Sequence, residues 1–171
     1  MRAFDGRLHV HYGQAYFFKG ESGDPGEMDA CFRGQTNGLL GGAQPGMLFF
    51  MTGLHTGFVQ LTVEVVEREP PLDESWDEWV EVSFAPAISE ARLVDWDGEI
   101  VCQLPLQMQD YRVRYAARGM DEGHTADTIL EGEEVVDSYS LWFWPASVAP
   151  DRILRQASET AQYWHDWAQN L

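Results

Sequence analysis

The chain has 171 residues, with 28 Asp or Glu against 11 Lys or Arg, so its formal net charge is −17 at pH 7. A hydrophobic content of 44%, with 13% aromatics, excludes a disordered acidic chain and suits a single domain, residues 1–171, with a sizeable core. Its apolar runs are too short for a membrane span, and the opening MRAFDGRLHVHYGQAYFF lacks the apolar core and cleavage site of a secretory signal, so a cytosolic protein is expected.

Taken in chain order, the elements read mostly as strands, because the hydrophobic period is two from roughly residue 7 to residue 145. LHVHYGQAYFF and MLFFMTG open the series. In FVQLTVEVVE, Val59, Leu61, Val63 and Val65 share one face and Gln60, Thr62 and Glu64 the other, as in a sheet with one wet face. WVEVSF repeats the alternation, with Val80, Val82 and Phe84 set against Glu81 and Ser83. ARLVDW, EIVCQL, YRVRYAARG and DSYSLWFWP follow, and Asp97-Gly98 is a hairpin signal. Residues 19–46, rich in glycine, and residues 119–137 read as two long loops. PDRILRQASETAQYWHDWAQN predicts a helix over 150–170, with Pro150 in the first turn and Asp151 at the positive end of the dipole. Ile153, Ala157, Ala161, Trp164 and Ala168 form its apolar stripe, which must cover a sheet face or edge. The resulting expectation is a mainly β fold: an antiparallel β-sandwich with one C-terminal α-helix, or alternatively a closed β-barrel plus helix.

Motifs for chemistry are weak. His9 and His11 share one strand face and with His55 could approach a metal, yet no further ligands sit at diagnostic spacing. No metal, cofactor or catalytic residue is therefore expected. Gly38, Gly41, Gly42 and Gly46 lack the lysine and the strand–turn–helix frame of a phosphate loop. Cys31 and Cys102 are the only cysteines and read as free thiols, with one disulfide as the alternative. In SLWFWP, Leu141 and Phe143 oppose Trp142 and Trp144, so this strand belongs mid-sandwich or beneath the terminal helix.

Charge is the more informative signal. Residues 69–99 hold ten acids against Arg92 alone, and residues 119–137 hold seven with no Lys or Arg, contributing −9 and −7. Such a field repels nucleic acid and anionic lipid and steers cationic partners inward; a solvated, solubilising surface is the plainer reading. Trp76 and Trp79 in DESWDEW suit either docking of an Arg/Lys-rich surface or partial core burial. YRVRYAARG sets Arg112, Arg114 and Arg118 on one strand face, for pairing with acids such as Glu64 or Glu81 or for an anion site of guanidinium forks.

Several segments carry a family resemblance: Tyr12 and Gln14 in VHYGQAYFF, the alternation and Phe84 of WVEVSF, Leu104, Pro105 and Tyr111 in LPLQMQDYRVRY, and the strand SYSLWF. In this order, over residues 10 to 143, they resemble the competence protein J family, small bacterial inhibitors of a DNA-entry nuclease. The resemblance implies a β-rich inhibitor, with the terminal helix and the 119–137 loop as extra parts, and it assigns no contact residues. Charge and resemblance together predict an acidic non-enzymatic binding protein, an inhibitor or immunity-type protein neutralising a basic partner such as a nuclease or toxin. The expected partner-binding residues are Asp73, Glu74, Trp76, Asp77 and Glu78 in one loop and Glu131, Glu133 and Glu134 in another, with no direct nucleic-acid or membrane contact. A competing expectation is a small-ligand binder or enzyme using His9, His11, Arg112 and Arg114, which requires those groups to converge on a pocket. A structural domain whose acidity serves solubility is the third.

Overall fold

A computed structural model describes residues 1–18, 27–87 and 89–171. Its strands are β1 (Arg2–His11), β2 (Gln14–Phe18), β3 (Leu40–Gly41), β4 (Leu48–Met51), β5 (Thr56–Val65) and β6 (Glu78–Phe84), then β7 (Glu90–Val94), β8 (Ile100–Pro105), β9 (Tyr111–Arg118), β10 (Thr128–Ile129), β11 (Ser138–Pro145) and β12 (Arg152–Arg155). Among the described residues three helices accompany them: α1 (Met28–Phe32), α2 (Met120–Ala126) and α3 (Glu159–Gln169). The strands form one open, curled sheet in the order β12-β6-β9-β11-β5-β1-β2-β4-β3, with β7 and β8 added beside β2. Pairing is antiparallel except that β10 and β11 both run parallel to β5. The fold is mainly β with a C-terminal helix, as the sequence pattern predicts, and the sheet stays open rather than closing into a barrel.

Period-two patterning explains how the sheet buries itself. It doubles back at the β1–β2 hairpin, where His11 pairs with Gln14, so the half from β12 to β1 faces the half containing β2, β4 and β7. Val59, Leu61 and Val63, Val80 and Val82, Val113 and Tyr115, and Leu141 and Phe143 enter one core with Phe17, Phe50 and Leu93. Phe17 meets Phe143 at 5.4 Å between ring centroids, and Phe50 meets Tyr115 at 6.1 Å. The opposite face of β2 and β4, with Tyr16, Phe49 and Met51, packs in a second cluster with Cys31, Phe32 and Ala168. The helix stripe therefore covers a sheet face, with Trp167 against Phe32 at 5.3 Å. Cys31 and Cys102 are free thiols whose burial pushes each up to about 11.

Two expectations change. The helix begins at Glu159 rather than at residue 150, because Arg152–Arg155 pairs with the edge of β6, setting Arg152 opposite Glu81 and Ile153 opposite Val80. Ser158 is the N-cap and accepts from the Ala161 N–H at 3.1 Å, while Asp151 instead accepts from the backbone N–H groups of Thr36 and Asn37. The two long loops also acquire structure: α1 and β3 lie within 19–46, and α2 and β10 within 119–137. Residues 19–26 of the first lie outside the described residues.

Gly38 sits where α3 crosses the chain, donating its N–H to His165 Nδ1 at 3.0 Å. A Cβ there would overlap the Trp164 backbone carbonyl, which cannot rotate away. Gly38→Ala should therefore destabilise the protein by roughly 1–3 kcal/mol, as overpacking does. Urea denaturation checks this, and a loss below about 0.5 kcal/mol would mean that α3 does not dock at this position.

Candidate functional site

The arginine-rich strand is scaffold. Alternation along β9 turns Tyr111, Val113 and Tyr115 into the core and Arg112 and Arg114 to the outer face, where the register sets Arg114 between Glu81 of β6 and Trp142 of β11. Arg114 Nε donates to Glu81 Oε1 at 2.8 Å, while Arg112 Nη2 and Arg152 Nε each donate to Oε2 at 3.2 Å. The segment between β5 and β6 crosses this face and closes it, since Arg114 also donates to the Glu69 carboxylate and the Pro70 carbonyl. Trp79 and Trp144 flank the same guanidinium, at 5.6 and 5.3 Å to their ring centroids. The β11 tryptophans thus lie beneath this crossover and not beneath the helix. Burial alone would raise the Glu81 carboxyl, but the hydrogen bonds from Arg152 and Arg114 outweigh it and hold the pKa below the usual carboxylate value.

This placement separates the groups of the ligand-site expectation. His9 and His11 lie on β1, Arg112 and Arg114 on β9, with β5 and β11 between them. Three strand spacings amount to about 14 Å, so the four side chains do not converge on one pocket. A surface groove of ≈ 430 Å³ does run between α2 and α3, lined by residues including Asp121, His124, Tyr163 and Trp164. Its Asp121 carboxylate is already occupied, accepting from the N–H groups of Glu159 and Thr160 and from the Thr160 hydroxyl.

Strand direction gathers the acid-rich loops instead. The starts of β5, β6 and β11 and the ends of β1 and β9 share one end of the sheet, so the chain before β6 and the 119–137 segment both emerge there. Asp73 and Glu74 are exposed, and Asp73 Oδ1 accepts from the Ser75 N–H at 2.9 Å. Trp76 is half-buried, in edge contact with Trp79 and Trp142 and covered by Arg118 at 5.5 Å. Asp77 Oδ2 accepts from the Gly119 N–H at 3.0 Å. Glu131, Glu133 and Glu134 are exposed, with Glu133 Oε2 accepting from the Leu130 N–H at 2.7 Å. The two loops meet across Gly119, whose φ of 78° and close approach to the Val136 carbonyl leave no space for a side chain.

Glu78 is the correction among these eight. It is fully buried, accepting from the N–H groups of Ala157 (3.1 Å) and Ser158 (2.7 Å), so it seats the entry to α3 and faces no partner. Burial raises its carboxyl, with the Ser158 hydrogen bond opposing in part. Spacing gave no warning, because Glu78 shares the run DESWDEW with exposed acids.

Three residues absent from the sequence-based set also reach this end: Tyr12 in the β1–β2 turn, His55 before β5, and Trp96 in the β7–β8 turn. The turn carrying His55 is held from below. Asp137 Oδ2 accepts from the Leu54 N–H (3.0 Å) and the Tyr139 hydroxyl (2.6 Å), and that hydroxyl accepts from the Gly53 N–H (2.7 Å). The signal that could have exposed Tyr12 is Tyr-Gly between two alternating runs, a two-residue hairpin turn.

With this geometry in place, comparison with solved structures gives a match. The chain shares the fold of ComJ. The crystal structure of ComJ, inhibitor of the DNA degrading activity of NucA, from Bacillus subtilis, superposes with a TM-score of 0.59 at 15% identity, covering 85% of this chain and 98% of that one. A second structure, crocagin biosynthetic gene J, gives a TM-score of 0.51 at 12% identity, covering 86% of this chain and 100% of the other. No protein-family model matches the sequence, and no curated protein does. The family resemblance read from the sequence thus holds at the level of the fold.

Glu81→Gln should cost roughly 3–5 kcal/mol at neutral pH, because it leaves the Arg112 guanidinium buried without its counter-charge and Arg114 with the Glu69 carboxylate alone. A carboxylate with a lowered pKa contributes stability above its unfolded value, and that stability is lost as pH falls through the folded value. The gap between variant and wild type should therefore close as the medium is acidified below pH 4.5, the ordinary value for this carboxyl. Denaturant midpoints measured across acid pH check this, and a pH-independent gap would refute it.

Proposed function

We propose that this protein is a non-enzymatic, cytosolic inhibitor that neutralises a basic protein partner, with a nuclease or a nucleic-acid-directed toxin as the partner class. The fold it shares with ComJ, an inhibitor of the DNA degrading activity of NucA, carries the reading. Charge supports it: the acidic loop before β6 and the acid-rich 119–137 segment emerge at one end of a chain of net charge −17. Carboxylates displayed on loops reproduce the charge that a nucleic-acid-processing protein meets on its substrate, and they accelerate association with a cationic surface. Asp73, Glu74 and Asp77 on one loop, Glu131, Glu133 and Glu134 on the other, and the half-buried Trp76 between carboxylates form the contact surface in this reading.

The test is capture from host lysate on the immobilised protein at low and moderate salt, followed by a DNA-degradation assay of what is retained. A basic nuclease or toxin should bind at low salt, elute as salt rises, and lose activity when the protein is restored in equimolar amount. Retained proteins whose activity is unaffected would defeat the proposal. Replacing Asp73, Asp77 and the four glutamates Glu74, Glu131, Glu133 and Glu134 by Asn or Gln should slow association by about tenfold or more at low salt. The thermal midpoint should stay close to wild type, and an unchanged association rate would remove these loops from the contact surface.

A further inference from the structure

The acidic end also carries a cluster of rings that the core does not require. Tyr12 is 54% exposed and Trp96 is 39% exposed, and each occupies the tip of a different hairpin. Tyr12 and Gly13 have φ of 54° and 64°, the left-handed pair of a type I′ turn. The first position of such a turn favours Asn or Asp on backbone grounds, so a tyrosine there is explained by its side chain and not by its conformation. Trp96 follows Asp95 in a turn closed by the Gly98 N–H donating to the Asp95 carbonyl at 3.1 Å, which displays the indole at the tip. His55 comes from a third connection, tied to the first where Gly13 donates its N–H to the His55 carbonyl at 2.9 Å.

These rings touch one another. Tyr12 lies 5.6 Å from Trp96 and 5.1 Å from His55 between centroids, while His11 stands beneath at 4.2 Å from Tyr12 and 4.7 Å from Trp96. The Thr56 hydroxyl lies 2.8 Å from Nδ1 of both His11 and His55 and so bridges the two imidazoles. Three separate turns thus meet in a supported aromatic platform. Carboxylates border it on two sides: Asp95 and Asp97 share the Trp96 turn, and β10, paired with Thr56 and Gly57, leads straight into the Glu131–Glu134 loop.

Exposed aromatics fit two kinds of planar ligand, nucleobases and guanidinium groups. A net charge of −17 and the bordering carboxylates repel a phosphate backbone and attract a cation, which decides between them. We propose that the Tyr12–His55–Trp96 platform is a docking surface for arginine side chains of a basic protein, which stack on the rings with their charge held by Asp95 and Asp97. This rests on the reading that the partner is a basic protein, and it places the aromatic anchors outside the residues that charge alone selected.

Nona-arginine titrated at low salt into the ¹⁵N-labelled protein tests it. The Trp96 indole N–H and the Tyr12 and Gly13 amides should shift together, and the double variant Y12N/W96S should bind the peptide about tenfold more weakly. Y12N restores the residue type that the turn favours, so the variant should stay folded with a thermal midpoint near wild type. Shifts confined to the Trp76 loop, or affinity within twofold of wild type in the double variant, would overturn the proposal. A decathymidylate that shifts the Trp96 indole in place of the peptide would overturn it too. If the peptide engages Trp96 while no nuclease or toxin is inhibited, the platform stands and the inhibitor reading falls.

Discussion

Glu81 is the fixed point of the structure. One buried carboxylate receives Arg112 and Arg114 from the neighbouring strand and Arg152 from the edge strand, so two segments distant in sequence, β9 and β12, are tied to a single residue. Burying a carboxylate is costly unless its lone pairs are filled, and the surrounding structure reads as the means of filling them. The crossover before β6 supplies Glu69 and the Pro70 carbonyl for the far side of Arg114, and β12 forms where Arg152 can reach. The same network pins register. A slip of one residue between β6 and β9 would turn Glu81 into the apolar interior and Val80 and Val82 out of it.

That constraint explains where the loops go. With β6 locked beside β9, and β11 between β9 and β5, the crossover from β5 must travel the length of the sheet before β6 can begin. It delivers Asp73 to Asp77 at the end where 119–137 returns to β11. The hairpin tips bearing Tyr12 and Trp96 share that end because β2 runs antiparallel to both β1 and β7. An acidic and aromatic surface therefore follows from strand order, with no single segment encoding it.

The strand pattern was legible because each buried face leaves a period-two trace, and β5, β6, β9 and β11 lie where that trace puts them. The helix start was not. Ile153 and Ala157 complete a helical stripe with Ala161, and only the vacant edge of β6 and the Glu81 carboxylate, both distant in sequence, favour a strand at Arg152–Arg155. For the candidate surface, local sequence showed the acids and missed the rings. Acids cluster along the chain, whereas Tyr12, His55 and Trp96 are brought together only by the meeting of three turns. Glu78 fails for the reciprocal reason, since its partners are backbone N–H groups nearly eighty residues away.

Charge counting has a related weakness that the structure makes specific. Several acids in the two rich segments are consumed internally: Glu81 and Glu69 by arginines, Glu78 and Asp121 by the N-terminal turn of α3, and Asp137 by Tyr139 and the Leu54 N–H. These groups stabilise elements and contribute little to the field a partner meets, because guanidinium or aligned N–H dipoles cancel them locally. Among the acids left exposed, Asp73, Glu74, Asp97, Glu131, Glu133 and Glu134 are bound to nothing stronger than a turn amide or a distant histidine. Mutual repulsion among them is a cost the fold retains on loops, where no packing demands it. A solubility role would be served as well by acids spread over the surface, whereas a concentrated field beside exposed rings is the arrangement that the proposed docking of a cationic partner requires.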